Sequence, residues 1–336
     1  MKSFTFVCSS FLLAAATLAS PAIADPKPDS ISVATWNLEW FYDADQGDNF
    51  SDLARQLSAP SQEEWEWRLN AVSDAIAKMS PTILALQEVE NRRVLFELRA
   101  NLRERHQLDY KIAFIEGFDP FTEQDVAVMF RSGLVEFSMK QQSQEMWDSD
   151  LYRNLPKHLF ARFEWGRGAG RETLIIANVH LKATAESGEQ RSKQARLLRD
   201  WLLAEQADGI NLLALGDFNS ETDAALPTAG SELYVMRGLD TADTQDDFSD
   251  LNTQLAADAQ ATHVSGKQFD HLLANHLLLE DAPDRSDLVF RKIENRKDLV
   301  VRGKVDTDHR DGYYKIAQHE RDLSDHYPII ATFDFK

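Results

Sequence analysis

The tightest constraint on this chain is a recurring pattern: a short apolar run, long enough for one strand, that ends on a polar or acidic side chain. In "ISVATWNLEWF", Ile31, Val33 and Thr35 alternate with Ser32, Ala34 and Trp36, and Asn37 stands at the end. "TILALQEVE" reads as a buried strand reaching Glu88, "ETLIIANVHLKA" ends at Asn178 and His180, and "NLLALGDFNSE" runs into Asp217 and Asn219. Helices separate these runs. Trp65, Leu69, Val72, Ile76 and Met79 form one apolar stripe bounded by Pro81. A second helix is expected over Asn91 to Arg105. A third, "EQRSKQARLLRDWLLAEQ", turns Leu198, Trp201 and Leu202 inward and leaves Arg191, Arg196 and Arg199 on a solvated face. Strand, helix, strand is the α/β pattern.

Further strands are expected in "YKIAFIEG", "DVAVMFRSG" and "KQFDHLLANHLLL", the last bearing Asp270. "RDLSDHYPIIATFDF" sets Asp325 and His326 just ahead of a final strand. Thr241 to Gln260 is a long polar insertion, and the charged stretch from Phe290 to Lys315 is either a surface loop or a small sheet extension. With no internal repeat and no low-complexity linker, the reading is a single catalytic domain over residues 25–336.

Residues 1–24 have the pattern of a cleaved signal peptide. Lys2 precedes an uncharged run from Phe4 to Ala19, and Ala22-Ile23-Ala24 supplies the small-x-small cleavage motif. The run is shorter than the roughly 20 residues a membrane span needs. The expected location is periplasmic or secreted. The sole cysteine, Cys8, lies inside this leader, so the exported chain would rely on core packing without disulfides. No later segment is apolar enough to cross a membrane.

The formal net charge is −19. Such a surface repels polyanions at long range and argues against a sequence-specific DNA-binding module. It does not exclude a nuclease, because bound divalent cations reverse the field locally.

Asn37, Glu88, His180, Asp217, Asn219, Asp270, Asp325 and His326 all stand at strand ends, where a rigid scaffold carries its sites. Carboxylates with amide and imidazole groups suit a hard cation such as Mg²⁺ or Mn²⁺. Asp217 and Asn219 are two residues apart, so both can reach one pocket while Phe218 turns away as an anchor. That stretch alone would also serve as an ordinary turn.

As a set and in order, "TWNLEW", "LQEVE", "NVHLKA", "LGDFNS", "FDHLL" and "SDHYPI" resemble the motifs of the endonuclease/exonuclease/phosphatase superfamily, over nearly all of the chain from Ile31 to Phe335. The resemblance implies a four-layer α/β sandwich of two packed mixed β-sheets flanked by helices. It implies a phosphoric ester hydrolase using Mg²⁺, with Mn²⁺ or Ca²⁺ as alternatives. Glu88 would be the principal metal ligand, with Asn37 nearby and Asp325 contributing. Asp217 would orient or deprotonate the attacking water, Asn219 would hold a phosphate oxygen or a second cation, and His180 would stabilise the phosphoryl group or protonate the leaving oxygen. Asp270 would orient a histidine. His326 and Asp217 compete for the role of base, and one metal or two is open.

The family's Tyr or Arg phosphate contacts on the central strands have no clear match. Asp125 and Arg162 are taken as additional polar site residues, with Asp125 as a hydrogen-bond partner of a catalytic group; Gln124, Arg131 and Arg153 lie in the same stretch. His106, His158, His263, His271, His276, His309 and His319 fit no motif and read as surface or packing residues. Trp36, Trp65 and Trp201 read as core.

The function expected is a monomeric, exported, metal-dependent nuclease or phosphodiesterase without sequence-specific binding. One alternative is a phosphomonoesterase or phospholipase C-type enzyme acting on a small phosphorylated metabolite or phospholipid. Another is a catalytically silent binding protein.

Overall fold

The computed structural model describes residues 25–144, 146, 154–206, 210–282, 287–303 and 309–336. The expected leader and Arg153 lie outside the described residues. In chain order the strands are β1 (Ser30–Phe41), β2 (Ile83–Val89), β3 (Lys111–Phe114), β4 (Asp125–Phe130), β5 (Leu134–Ser138) and β6 (His158–Trp165). They continue as β7 (Glu172–His180), β8 (Ile210–Asp217), β9 (Phe248–Asp250), β10 (Asp270–Asn275), β11 (Leu288–Asn295) and β12 (Ile329–Phe335). The main helices are α1 (Asp52–Leu57), α2 (Gln62–Met79), α3 (Arg92–His106), α4 (Gly188–Ala204) and α5 (Glu232–Met236).

Two six-stranded mixed sheets form, in the orders β11-β12-β1-β2-β4-β3 and β5-β6-β7-β8-β10-β9. Each has one central parallel pair, β1 with β2 and β7 with β8, and antiparallel neighbours elsewhere. The parallel pairs need helical crossovers, which α2 and α4 supply. Strand alternation then divides the core. Val33, Ile83, Ala85, Leu174, Ile176, Leu213 and Leu215 fill the space between the sheets. Trp36, Leu84 and Leu86 face outward onto Trp65, Val72, Ile76 and the α3 leucines. Ile175, Ala177 and Leu212 face outward onto Leu198 and Leu202 of α4. The result is helix, sheet, sheet, helix, as the resemblance implied.

Local signals set the element ends. Asn91 caps α3, its Oδ1 accepting from the backbone of Arg93 and Val94. Ser80, in the left-handed region at φ 45°, closes α2 just before Pro81. The charged stretch after Phe290 is in part a sheet extension, because β11 adds to the edge of β12. Within the polar insertion, β9 pairs with β10, and Phe248, Leu251 and Leu255 are buried.

The basic face of α4 departs from expectation. Arg191 and Arg199 are buried, because the chain at 182–184 and 232–246 folds over that face and supplies their acceptors. Arg191 donates to the carbonyls of Lys182 and Thr184, and Arg199 donates to Asp246. Arg196 is partly exposed and paired with Asp240. Trp36 and Trp65 are core residues, whereas Trp201 is only partly buried, with its ring 5.0 Å from that of His158. Among the described residues, no helix is long and apolar enough to cross a membrane.

Candidate active site

The sheets are pinned together beneath the site by a buried amide network. Gln87 donates 2.7 Å to Asn178 Oδ1 and 3.1 Å to Thr35 Oγ1, and Asn178 in turn donates to the carbonyls of Leu86 and Ala127. Two residues beyond Thr35 on β1, the Nδ2 of Asn37 bridges two acids from different sheets, Glu88 Oε1 at 3.1 Å and Asp217 Oδ2 at 2.9 Å. Strand ends that are 180 residues apart in sequence thus meet at one point.

The β1 end is shaped by a bulge. Glu39 and Trp40 both adopt left-handed backbone, at φ 48° and 47°, and Glu88 opposite them sits at φ 58°. The bulge turns the Trp40 amide onto Glu88 Oε2 at 2.9 Å and the Glu39 amide onto Asn37 Oδ1 at 2.8 Å. Two successive non-glycine residues at positive φ are costly and persist only when held. Arg68 of α2 holds them: its fully buried guanidinium donates to the carbonyls of Leu38, Glu39 and Trp40. Asn37 therefore presents its N–H₂ to the cleft, while its carbonyl oxygen is engaged by Glu39. In this arrangement it donates to both carboxylates and ties the two acids together.

On the second sheet, Gly216 sits at φ 132° where a Cβ would lie 2.0 Å from the Val179 carbonyl. Only glycine lets β7 and β8 approach so closely, and that register sets His180 opposite Asp217. Phe218 is buried in the outer core, as the spacing predicted. Asn219 turns its amide to the Leu181 carbonyl, and its backbone N–H donates to Asp217 Oδ1 at 2.8 Å.

His326 gives the clearest relationship. Its Nδ1 lies 2.8 Å from Asp270 Oδ2, while Nε2 faces Asp217 Oδ2 at 3.7 Å and Asp325 Oδ1 at 3.8 Å. His180 Nε2 approaches the same Asp217 oxygen at 3.6 Å and Glu88 at 3.9 Å. Burial works against a charge on His326, but Asp270, Asp217 and Asp325 outweigh it and hold its pKa well above the ordinary value. Burial, then the charges of Lys157 and His326, hold His180 well below it. The two imidazoles are therefore shifted in opposite directions, His326 toward its charged form and His180 toward its neutral form. Burial pushes Asp217 upward against the pull of His326, with Asp270 adding to the rise. Burial and then Asp325 raise Glu88.

These groups floor a cleft of about 570 Å³, whose walls include Trp40, Phe118, Phe121, Lys157, Lys182 and Phe269. The donor set fits a hard divalent cation. Glu88, His180 and Asp217 each offer a ligand atom within 4.8 Å of the others, and so do Asp217, Asp270 and His326. Raised carboxylates mark an excess of buried negative charge that a cation would relieve. Asp270 also keeps one buried oxygen, Oδ1, without a hydrogen-bond partner.

Asp125 and Arg162 stand elsewhere. Asp125 begins β4, but its Oδ1 accepts from the backbone of Gly117 at 2.7 Å, so it anchors the loop before β4 rather than a catalytic group. Arg162 lies in mid-strand on β6 and pairs with Glu164 on the outer face of the second sheet, because strand alternation turns it from the sandwich interior.

Three residues had been passed over. His263 Nε2 contacts Asp325 Oδ2 at 3.3 Å, and its ring centroid is 4.7 Å from that of His326. Glu39 Oε2 accepts from the Asp325 backbone at 2.9 Å and from His309 Nδ1 at 2.7 Å. Glu39 was open to detection, since it lies two residues from Asn37 in the same motif. The two histidines carried no local signal; they reach the site only through tertiary pairing.

A family model described as the Endonuclease/Exonuclease/phosphatase family matches residues 34–326. No curated protein matches the sequence. Among solved structures, the human Nocturnin catalytic domain with bound sulfate is similar over 92% of this chain and 94% of its own, at 18% identity and TM-score 0.55. D. rerio TDP2 complexed with single strand DNA product is similar over 91% of this chain and 100% of its own, at 15% identity and TM-score 0.53. ANGEL2, a 2',3'-cyclic phosphatase, is similar over 90% and 95%, at 15% identity and TM-score 0.54. At these identities the likeness is one of fold.

Proposed function

Because the chain belongs to the endonuclease/exonuclease/phosphatase family, whose members hydrolyse phosphate esters, we propose that it is a divalent-metal-dependent phosphodiesterase with nuclease activity, exported and active as a monomer. The observation that carries this reading is the convergence of two unlike imidazoles on one carboxylate oxygen, Asp217 Oδ2, beside Glu88.

Both imidazoles are too far from that oxygen for a direct hydrogen bond, at 3.6 and 3.7 Å. The space beside it suits a water or a phosphate oxygen. Asp217 accepts the proton of the attacking water, and its raised pKa brings it closer to the operating pH than an ordinary aspartate. The Asn37 amide and the Asn219 backbone fix its two oxygens. His326, charged and oriented by Asp270, donates from Nε2 to a non-bridging oxygen as negative charge grows there. The upward shift of His326 favours its charged form, which supports Asp217 over His326 as the base. His180, neutral, offers Nε2–H to a second oxygen. Glu88, with the neighbouring Asp325, would hold the metal, which when bound would neutralise phosphate charge as a Lewis acid.

The test is a panel of single-stranded DNA, duplex DNA, RNA, an aryl diester, phosphatidylcholine and sugar phosphates, assayed with Mg²⁺, Mn²⁺ or Ca²⁺ beside Glu88→Ala. Diester cleavage that Glu88→Ala abolishes is expected. Turnover of monoesters alone, or of nothing, would overturn the reading. Export is checked by fractionating cells that express the full chain and sequencing the mature N-terminus, expected at Asp25.

A further inference from the structure

Two phenylalanines beside the catalytic cleft are largely open to solvent. Phe118 and Phe121 are 67% and 69% exposed, and both line the cleft that holds His326. Such rings are ordinarily kept from water, and where they are not, the surface tends to meet a partner.

The loop that carries them is firmly tied. Asp119 Oδ1 accepts the backbone N–H groups of Phe121 and Thr122, each at 3.1 Å. Lys157 Nζ ties Asp119, Thr122 and Gln124 together at 2.8 to 3.0 Å. Tyr42 Oη donates 2.6 Å to the Thr122 carbonyl, and Asp125 holds Gly117. The rings are thus presented by a pre-organised frame, which lowers the entropy lost when a flat ligand is bound.

Resting on the function proposed above, we propose that Phe118 and Phe121 form a stacking platform for an unpaired nucleobase next to the scissile phosphate, so that the enzyme prefers short or single-stranded nucleotide diesters over duplex. The charge pattern supports this choice. Gripping a duplex requires rows of cations along its phosphates. Among the described residues, the lysines and arginines lining the cleft are Lys157 and Lys182, and Lys157 is committed to Asp119. The whole chain carries a net charge of −19. Affinity must then come from something other than phosphate contacts, and every base offers a π-face. A duplex hides those faces. A bilayer surface is the weaker occupant, because the rings line the wall of the same concave cleft as His180, Asp217 and His326.

The direct test uses a trinucleotide containing 2-aminopurine, whose fluorescence falls on stacking. Wild type should quench it, and the Phe118→Ala/Phe121→Ala double variant should bind it roughly 5- to 100-fold more weakly. The ratio of kcat/KM for a single-stranded oligonucleotide to that for an abasic oligomer of equal length should fall by a similar factor. Because the rings are exposed, the melting temperature should not move, which separates stacking from misfolding. Unchanged quenching in the double variant overturns the platform. So does a wild type that binds phosphatidylcholine vesicles through these rings while the trinucleotide is ignored. Quenching without hydrolysis of any phosphate ester would refute the proposed enzyme and leave the platform standing. Diester hydrolysis without quenching would do the reverse.

Discussion

Nδ1 of His326 lies 2.8 Å from Oδ2 of Asp270, a residue 56 positions earlier at the start of β10. The contact fixes the ring and leaves Nε2 aimed at Asp217. Asp270 also heads the carboxylates that raise the His326 pKa, after burial, which opposes the charge. A raised imidazole is cationic below its folded pKa and loses that charge as pH rises through it. Asp270→Asn removes the leading stabiliser, so the charge should be lost at lower pH. We expect kcat to fall by about 10²–10⁴ and the alkaline limb of the kcat profile to move toward acid. A pH–rate profile whose alkaline limb does not move would refute the assignment.

Arg68 acts on the site without reaching it. Its guanidinium holds the three carbonyls of the 38–40 bulge, and the bulge aims the Trp40 amide at Glu88 and the Glu39 carboxylate at the Asp325 backbone. Arg68→Lys keeps the charge but not the planar fork. Metal affinity should weaken by roughly 10- to 100-fold, the usual cost of losing an outer partner of a ligand. Calorimetric titration with Mn²⁺ measures this independently of turnover. A loss of melting temperature with unchanged Mn²⁺ affinity would reduce Arg68 to a packing residue.

These relationships explain what could be read in the sequence and what could not. Strand ends were legible because an apolar run that stops on an acid is a local signal, and Asn37, Glu88, His180 and Asp217 meet at one end of the two-sheet sandwich for that reason. Arg162 was misplaced because a basic residue in mid-strand gives no sign of which face it occupies; alternation put it outside. Arg191 and Arg199 were misread for the opposite reason. Helical spacing placed them off the apolar stripe, but the loop at 182–184 and the segment at 232–246 cover that face. His263 and His309 meet Asp325 and Glu39 across 62 and 270 residues, separations at which no motif operates.

The amide network between the sheets should dominate local stability. The Asn178 side chain serves three partners at once, receiving from Gln87 and donating to the Leu86 and Ala127 carbonyls. Asn178→Leu would take from Gln87 its acceptor in the second sheet, leaving it only Thr35, and would strip two carbonyls of their side-chain donor in a dry interior. Each unsatisfied group costs about 1–3 kcal/mol. Urea unfolding should show a loss of at least about 2 kcal/mol. A wild-type midpoint would mean the network contributes nothing net.

Two buried acids outside the catalytic centre give the pH dependence of stability a definite sign. Burial raises Glu90 to about 8, with Asp43 and Asp48 adding to the rise, and burial raises Asp125 to about 7. A group raised on folding contributes stability that is complete below its unfolded pKa and is lost as pH rises through the folded one. The loss falls between pH 4.5 and about 8 for Glu90 and between pH 3.8 and about 7 for Asp125. The metal-free protein should therefore melt at higher temperature at pH 6 than at pH 8, and Glu90→Gln with Asp125→Asn should flatten that slope. A slope of opposite sign, or one untouched by the double substitution, would contradict the assignment.

Gly216 carries the last expectation. The Val179 carbonyl occupies the space where its side chain would begin, 2.0 Å from the position of a Cβ, and its φ of 132° is strained for any other residue. Backbone cannot step aside as a flexible side chain can. Gly216→Ala must therefore separate β7 from β8 at the rung just before His180 meets Asp217. The cost has two parts. Stability should drop by roughly 3 kcal/mol or more, from strain and broken ladder bonds together. The distance between His180 and Asp217 should also grow, so Mn²⁺ affinity and turnover fall together, even well below the melting temperature. Phe218→Leu supplies the contrast: a buried anchor shortened in the outer core should cost about 1–1.5 kcal/mol while leaving that rung intact. If Gly216→Ala bound Mn²⁺ as wild type does, the close approach of β7 and β8 would not be what sets the site.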